Sequence, residues 1–460
     1  MKASFLLSRG GLILLLLCTS LLGAQEFGFG APSPLRLSIG GQVSATLLGY
    51  TKELSEGPGG FDKIHMGDVF SGKLNFHAQS SLAEAYINLT LEPSPQALDI
   101  DEAYLTLFMG QGDLSAGFRK ITWGRADTMG PLDVINPLKS GEIYLIIADG
   151  TSLMEAKIAR PLLHLSYRLG TYSKIEGVFV PSFQGHQMST QGRWADSRLD
   201  KLSFDSLPPD LLLMAGLYGI DLSSIEVDLE GDTSTLDFAQ GGLRFTSTIG
   251  GADLGLQYYY GRLPLPSVEI DYHPLLPLPQ RVALIYNRYH QIGVDYAQVL
   301  SGFNTRAEVA ANITEDRGGD DGSIYNPAII WSLGFDRDLF LGVHANLQAT
   351  QSIRLMADKV GGTDIGAKNF DIEGDSLPTS TRLSAALSRK FLQDQIELRC
   401  ALVWGIEDQD FLFMPALVWS RDEIRFSLAG GFFQGPKDSK GQLGQYQENN
   451  FIKAVLSYRF

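Results

Sequence analysis

The most constraining feature of this sequence is a two-residue alternation of apolar and polar side chains that recurs along most of its length. In Leu341–Arg354, for example, the odd-numbered residues from Leu341 to Ala349 are apolar, whereas the even-numbered residues from His344 to Thr350 are polar. Successive side chains of a β-strand point to opposite faces, whereas a helix repeats every 3.6 residues. About eighteen such segments can be traced, so the sequence predicts an all-β chain.

The connections between these segments alternate in length. The long series comprises 51–67, 93–97, 123–152, 182–235, 263–280, 314–324, 355–379, 406–409 and 434–449, of which only 93–97 and 406–409 are short. The tight series comprises 80–81, 110–112, 170–173, 249–251, 301–304, 336–340, 393–394 and 421–422. Outer-membrane barrels have an even number of strands, long external loops and short periplasmic turns. We therefore predict a transmembrane antiparallel up-and-down β-barrel of about 18 strands. A soluble β-sandwich does not require its connections to alternate between long and short.

The chemistry of lipid decides which face of each strand points outward. Lipid offers no hydrogen bonds, so the apolar face should meet the membrane and the polar face should line the interior. Several aromatic residues near strand ends fit the girdles found at membrane interfaces. These residues are Tyr50, Trp404, Trp419, Phe433 and Tyr458.

The first residues have the pattern of an export signal. Lys2 and Arg9 precede the apolar run Gly11–Leu17, and small residues follow at Gly23 and Ala24. This pattern predicts a secretory signal peptide over 1–24. We expect residues 25–460 to form a single barrel domain that reaches the outer membrane through the general secretory route.

Composition excludes several classes of partner and site. Without the signal peptide the chain would keep one cysteine, Cys400, so no intramolecular disulfide is expected. The net charge of −15 argues against nucleic acid as a partner. The acidic run Glu315–Asp321 lacks the regular spacing of a calcium loop, so a solvated loop is expected there. We predict no metal and no cofactor.

The last eleven residues, Asn450–Phe460, form one more alternating segment. Ile452, Tyr458 and Phe460 share its apolar face. The segment resembles the closing strand of bacterial outer-membrane barrels, in which a terminal Phe follows apolar residues at alternate positions. The resemblance implies that Tyr458 and Phe460 form an assembly signal. It also implies that the barrel-assembly machinery, periplasmic chaperones and outer-membrane lipid are partners.

A second resemblance lies in one long connection and the strand before it. The residues that carry it are Gly117, Arg119, Trp123, Gly124, Asp133, Asn136 and Pro137. They resemble, in type and order, a pattern of a poorly characterised porin-like family of outer-membrane barrels. The resemblance implies a barrel with a structured loop near the pore, and it implies neither an enzyme activity nor a substrate. The sequence is compatible with either a packed external loop or a constriction loop at this position. It also does not decide whether 123–152 or 182–235 folds into the lumen.

A barrel of this size is too wide for its own side chains to fill and normally holds an aqueous channel. Cations on the polar faces of the last five strands could form a basic patch on one wall. These residues are Arg382, Arg399, Arg425, Lys453 and Arg459. Rings of Arg or Lys favour anions. We therefore predict a porin-like channel for the diffusion of small polar solutes, with anions favoured if this patch faces the pore. The sequence is compatible with both a monomer and a homo-oligomer.

Single features of the sequence would suit two other functions. The short apolar run Leu211–Ile220 would suit a specific transporter for hydrophobic solutes if it folded into the barrel as a helix. His164 and Ser166 lie two residues apart on one strand face, which would suit a barrel lipase. A nucleophile also needs a group that orients its base, and the sequence shows neither such a group nor a Gly-x-Ser-x-Gly elbow. We therefore predict no enzyme activity.

Overall fold

The computed structural model describes residues 35–55, 64–65, 70–91, 98–139, 143–189, 191–196, 217, 227–229, 231–272, 279–359, 378–436 and 441–460. The predicted signal peptide over 1–24 lies outside these residues, as does the run Leu211–Ile220 apart from Leu217. Among the described residues, no helix is long and apolar enough to cross a membrane.

Eighteen antiparallel strands form a closed barrel in simple chain order. They are β1 (Arg36–Tyr50), β2 (Phe70–Gln79), β3 (Ala83–Leu91), β4 (Asp99–Met109), β5 (Gly112–Arg119), β6 (Arg160–Leu169), β7 (Ser173–Val180), β8 (Gln240–Ile249), β9 (Ala252–Arg262), β10 (Arg288–Leu300), β11 (Phe303–Thr314), β12 (Ala328–Asp338), β13 (Val343–Arg354), β14 (Thr379–Phe391), β15 (Ile396–Gly405), β16 (Asp410–Arg421), β17 (Ile424–Gln434) and β18 (Phe451–Arg459). Each strand pairs with the next along the chain. The last strand pairs with the first, from Gln42↔Arg459 to Tyr50↔Phe451. The predicted fold class is confirmed.

The outer surface of the barrel is apolar and the inner surface is polar. On β13 and β14, for example, Leu347 and Leu387 point outward and are 53% and 44% exposed. Their inward neighbours include Gln348 and Ser388. A closed barrel leaves no unpaired strand edge, and an apolar outer face needs no hydrogen bonds from lipid. This is the architecture of an outer-membrane barrel, as the sequence predicts.

The alternation of long and short connections is also confirmed. The tight turns at one end join β2 to β3, β4 to β5, β6 to β7, β8 to β9, β10 to β11, β12 to β13, β14 to β15 and β16 to β17. In the first of these turns, the Ser80 hydroxyl accepts hydrogen bonds from the N–H groups of Leu82 and Ala83, at 3.2 and 3.1 Å. All connections longer than these lie at the opposite, external end.

The sequence predicts one continuous strand, Arg281–Leu300, between the connections 263–280 and 301–304, and this prediction is wrong. The structure divides it into β10, which begins at Arg288, and a separate strand Pro279–Ile285. The separate strand pairs with Ser267–Tyr272 and Val227–Leu229 in a small sheet of the external loops.

The chain leaves the barrel beside Asn287, the residue before β10. Asn287 is 1% exposed. Its Oδ1 accepts a hydrogen bond from the N–H of Tyr325 at 3.1 Å, and its carbonyl oxygen accepts one from Leu263 at 2.9 Å. The bond from Leu263 continues the pairing of Arg262 with Arg288 by one residue, and the bond from Tyr325 joins this end of β10 to another loop. Before Asn287 the chain instead pairs with two loop segments, Ser267–Tyr272 and Val227–Leu229, which no local pattern of the sequence indicates.

Two of the aromatic residues expected in the lipid interface lie inside the barrel. Tyr50 and Phe433 are 6% and 3% exposed and pack with Trp194, Tyr446 and Phe451. The other three fit the outward face by the parity of their strands. The expectation for Tyr50 and Phe433 is wrong because both residues have the inward parity of their strands, and Trp194 from an external loop packs against them on the inner side.

Candidate functional site

The connection between β5 and β6, which the structure describes over residues 120–139 and 143–159, folds into the barrel, and we call these residues the inner loop. It contains a short helix, Ile143–Ile147, and a 3-10 turn, Leu153–Ala156. Asn136 fastens both of its ends. Its Oδ1 accepts a hydrogen bond from the N–H of Ile121 at 2.7 Å, and its Nδ2 donates to the carbonyl oxygens of Arg119 and Ile158 at 3.0 and 2.9 Å.

Trp123 and Gly124 hold the beginning of the inner loop close to the barrel wall. Trp123 is 2% exposed and packs in an apolar cluster with Ile121, Tyr259 and others. Gly124 has a φ of +91°, and a Cβ at this position would lie 2.5 Å from the Glu308 carboxylate. A glycine is therefore needed both for the backbone conformation and for the close approach to β11.

Glu308 and neighbouring charges hold the first half of the inner loop. Glu308, which is 1% exposed, accepts hydrogen bonds from the N–H groups of Arg125 and, at 2.7 Å, Ala126. The Arg125 side chain donates to Asp295 at 3.0 Å and to Asp253 at 3.1 Å. These contacts join the loop to β9, β10 and β11.

Asp127 extends this attachment to the next part of the wall. Its carboxylate forms an ion pair with Arg306 of β11 and accepts a hydrogen bond from Asn346 of β13 at 2.8 Å. The N–H groups of Asp127 and Thr128 both donate to the side-chain oxygen of Gln348, at 3.1 and 3.2 Å. The first half of the loop therefore follows five consecutive strands of the wall, β9 to β13.

The motif residue Asp133 is bonded within the inner loop itself. Its carboxylate lies 2.7 Å from the Nζ of Lys157, which also donates to the Thr122 hydroxyl at 2.6 Å. Burial raises the pKa of Asp133, although the charge of Lys157 opposes the rise. With Asn136, this pair joins the beginning of the loop to its end.

The second half of the inner loop is attached to the opposite wall. The Asp149 carboxylate accepts hydrogen bonds from Arg425 at 3.1 Å and Ser427 at 3.0 Å, and Lys453 donates to the carbonyl oxygen of Leu145 at 2.7 Å. Burial alone would raise the pKa of Asp149, but Lys453, Thr151 and Arg425 outweigh it and hold that pKa below its ordinary value. The inner loop thus spans the lumen from β9–β13 to β17 and β18.

The five residues of the predicted basic patch therefore have three different surroundings. Arg425 and Lys453 bind the inner loop, and Arg459 donates to Gln42 across the seam that closes the barrel. Arg382 and Arg399 line cavities between the inner loop and the wall. The structure thus brings together two of the five at one open space.

A second segment, residues 183–189 with 191–196, crosses the external mouth, and we call it the strap. Near its start, His186 Nδ1 accepts a hydrogen bond from the N–H of Leu138 at 3.0 Å. At its far end, the Trp194 indole donates to the Tyr50 hydroxyl at 3.0 Å, and the Arg193 carbonyl oxygen accepts from Asn449 at 2.7 Å. The strap therefore covers part of the lumen and contacts the inner loop.

Two cavities remain between the inner loop, the strap and the wall formed by β10 to β16. The outer cavity, of about 380 Å³, lies near the external ends of β9 to β14. The inner cavity, of about 460 Å³, lies deeper along β13 to β16. The residues that line both are Met129, Leu138, His186, Leu265, Thr350 and Arg382. The two cavities are therefore neighbours along one side of the lumen.

Three arginines on adjacent strands follow this side from the mouth inward. Arg354 lines the outer cavity, Arg382 lines both cavities and Arg399 lines the inner one. The register pairs Thr350 with Arg382 and Ser388 with Arg399. At about 3.3 Å per residue, the levels of successive arginines differ by roughly 13 and 20 Å. The sequence analysis did not identify Arg354, although it is an even-numbered residue of β13, like the inward-facing polar residues from His344 to Thr350.

The candidate catalytic pair of the sequence analysis lies on the inner face of β6. His164 is 8% exposed, and its Nε2 lies 3.3 Å from the carboxylate of Glu176 on β7. Among the described contacts, none joins His164 to Ser166.

The acidic run of the external loops folds around one of its own carboxylates. Asp316 accepts hydrogen bonds from the N–H groups of Gly318, Gly319 and Asp321, at 3.0, 2.9 and 2.9 Å. Burial would raise the pKa of Asp316, but these N–H groups lower it. The carboxylate therefore shapes the loop.

No protein-family model matches the chain, and no curated protein matches it in sequence. Solved structures with a similar fold include OccK10 (OpdN) of Pseudomonas aeruginosa, with 8% identity, 92% of this chain and 99% of that chain covered, and a TM-score of 0.49. Salmonella typhi OmpF, solved with daunomycin, has 9% identity, coverage of 92% and 97%, and a TM-score of 0.43. Wzi of Escherichia coli, described as a carbohydrate-binding barrel, has 11% identity, coverage of 92% and 84%, and a TM-score of 0.45. These are likenesses between large barrels, and the function of this chain must be inferred from its own residues.

Proposed function

We propose that this chain is an outer-membrane diffusion channel, restricted by its inner loop, that passes small anionic solutes along the wall formed by β12 to β15. The observation that carries the proposal is the placement of Arg354, Arg382 and Arg399 at successive levels of the two cavities. A solute moving along this wall would pass from one guanidinium group to the next.

The charges that line the cavities favour anions. Seven Lys or Arg side chains line them, five in the outer cavity and three in the inner, with Arg382 counted in both. Two carboxylates, Asp133 and Asp196, also line them, and Asp133 is paired with Lys157. Arg399 lies 3.5 Å from the carboxylate of Glu397, and cations still outnumber carboxylates along this side. Fixed charges act more strongly in a narrow, partly desolvated space than in bulk water. The lining therefore attracts anions and repels cations.

The inner loop and the strap make this a narrow path. The loop is fixed to both sides of the lumen, by Arg125 and Asp127 on one side and by Asp149 on the other. Selectivity in such a channel depends on the groups that line the remaining space. We therefore expect a conductance lower than that of an unobstructed barrel of eighteen strands, with anions preferred.

The zero-current potential of reconstituted channels under a KCl gradient tests this proposal. The wild type should show the sign of anion preference, and the double variant Arg382→Glu with Arg399→Glu should shift that potential toward cation preference. The matched control is Arg421→Glu, at an exposed position beside a tight turn, which should leave the potential unchanged. A cation preference in the wild type, or no shift in the double variant, would contradict the proposal.

A further inference from the structure

We propose that the outer cavity is a binding site for organic anions that carry an apolar body, such as aromatic carboxylates. This inference rests on the proposed function in one respect, because it names the class of anion that the channel would select. It is carried by the division of the cavity lining into an apolar part and a cationic part.

The apolar part comes from three segments that meet at the external end of the lumen. The inner loop contributes Val134, Ile135 and Leu138, the strap contributes Phe183, and the loop after β9 contributes Leu263 and Leu265. Small-molecule sites are mostly apolar with a few convergent polar groups, and commonly measure about 300–1,000 Å³. The outer cavity, at about 380 Å³, suits a body of the size of one aromatic ring.

The cationic part includes two arginines whose charges no carboxylate neutralises at close range. Arg160 donates to the main-chain carbonyl oxygens of Gln184, at 2.8 Å, and Ser182, whereas Arg262 donates to that of Tyr286. Neither forms an ion pair with any described acidic residue. A carbonyl oxygen satisfies a guanidinium hydrogen bond but leaves its positive charge in place, so the outer cavity keeps an excess of positive charge.

Several buried polar atoms without hydrogen-bond partners also lie at the outer cavity. Among the described residues, nine buried side-chain polar atoms lack a hydrogen-bond partner, and four of them belong to residues that line the outer cavity. These four are the Nε atoms of Arg160 and Arg262, Oγ1 of Thr314 and Oδ1 of Asn326. Buried polar atoms without partners are rare in proteins, so these four atoms are places where a polar ligand, an ion or a water molecule can bind. Three of the four atoms can donate to an anion.

The arginines of the outer cavity are placed in order from the external end of the barrel toward the inner cavity. Arg160 and Arg262 lie at the external end, and Arg354 and Arg382 lie on the wall that leads to the inner cavity. An anion bound at the outer cavity would have its next cation at Arg382, which both cavities share. The site thus lies at the entrance of the proposed path.

Isothermal titration calorimetry of the folded full-length protein in detergent micelles tests the site, with empty micelles as the blank. The probes are benzoate, acetate, which has the charge without the ring, and benzamide, which has the ring without the charge. We expect saturable binding of benzoate at least tenfold tighter than that of either other probe. Equal affinities for benzoate and acetate, or for benzoate and benzamide, would overturn the inference.

Variants assign the binding to this cavity. Arg262→Gln should weaken benzoate binding at least tenfold, and Leu265→Ala should weaken benzoate binding without changing that of acetate. Arg262→Lys keeps the charge and should retain part of the affinity, which separates loss of the site from loss of the fold. Arg421→Gln, at an exposed turn, is the matched control and should bind benzoate as the wild type does. Unchanged affinity in Arg262→Gln would overturn the assignment.

The outcome can be separated from that of the proposed function. If benzoate binds no tighter than acetate while the channel remains anion-selective, this inference fails and the function stands. If benzoate binds tightly and the channel shows no anion preference, the site stands and the conduction proposal fails.

Discussion

Substitution of Asp149 by Asn should release the second half of the inner loop. The Asp149 side chain is 4% exposed and faces Arg425, which is 24% exposed. Its Oδ2 accepts from Arg425 and Ser427, its Oδ1 accepts from Thr151 at 2.6 Å, and the Asp149 carbonyl oxygen accepts from Arg425 at 3.0 Å. Asn keeps the shape and the bond to Thr151. It removes the only charge that neutralises Arg425 among the described ion pairs.

The size of the effect follows from this burial. Removing one partner of a buried ion pair costs about 3–5 kcal/mol because the other charge is left without compensation. Since Arg425 keeps some contact with water, the lower end of that range applies. A cost of about 3 kcal/mol corresponds to a change of roughly 100-fold in the equilibrium between docked and released loop. The backbone bond from Arg425 to the loop survives, so the barrel itself should stay folded.

Single-channel recording gives the measurement. If the released loop leaves the lumen wider, high-conductance events should be about 100-fold more frequent in Asp149→Asn than in the wild type. Asp422→Asn, the same change at a carboxylate whose side chain is 78% exposed, is the matched control and should behave as the wild type. Equal event frequencies in Asp149→Asn and Asp422→Asn would refute the reasoning that this ion pair holds the loop.

Two further predictions concern the same loop. Gly124→Ala places a Cβ 2.5 Å from the Glu308 carboxylate in a backbone with φ of +91°. It should therefore detach the first half of the loop and increase cleavage of the loop by added protease. Cleavage equal to that of the wild type would contradict this. The pKa values of Asp149 and Glu155 are lowered in the docked loop, because nearby cations and hydrogen bonds outweigh the opposing effect of burial. Carboxyls with lowered pKa values stabilise the docked loop above their ordinary pKa, and this stability is lost as pH falls through the lowered values. High-conductance events that come from release of the second half of the loop, which Asp149 and Glu155 hold, should therefore become more frequent below about pH 4 and stay equally frequent between pH 6 and 8. Asp133, whose pKa burial raises, acts in the opposite sense on the pairing with Lys157 and does not hold this half to the wall. Fewer such events below about pH 4 would contradict this.

The barrel was predictable because its signals are local. The alternation on β13 or β18 can be recognised within about ten residues, and a tight turn such as Ser80–Ser81 within two. The parity of each strand then assigned the inward faces, including those of Arg382 and Arg399. The prediction was wrong at Arg281–Leu300, because the segment before Asn287 pairs with two strands of the external loops, Ser267–Tyr272 and Val227–Leu229, and the second of these lies far from it in the sequence.

The interior was not predictable because its contacts join distant parts of the chain. Arg425 lies 276 residues from its partner Asp149, and Lys453 lies 308 residues from Leu145. Sequence parity placed both cations on the inner face correctly, but nothing local distinguishes a cation that binds a loop from one that lines a cavity. Trp194 is another distant partner, 144 residues from Tyr50 in the sequence.

Chemical modification of Ser384→Cys tests most directly whether solutes pass along the wall beside the inner loop. Ser384 lines the inner cavity between the levels of Arg382 and Arg399. The variant is made with Cys400→Ser, which removes the one free cysteine that the structure describes. An anionic methanethiosulfonate reagent should react with Cys at 384 faster than a cationic reagent of similar size and should reduce the conductance. Faster reaction with the cationic reagent, or modification that leaves the conductance unchanged, would contradict a solute path along this wall.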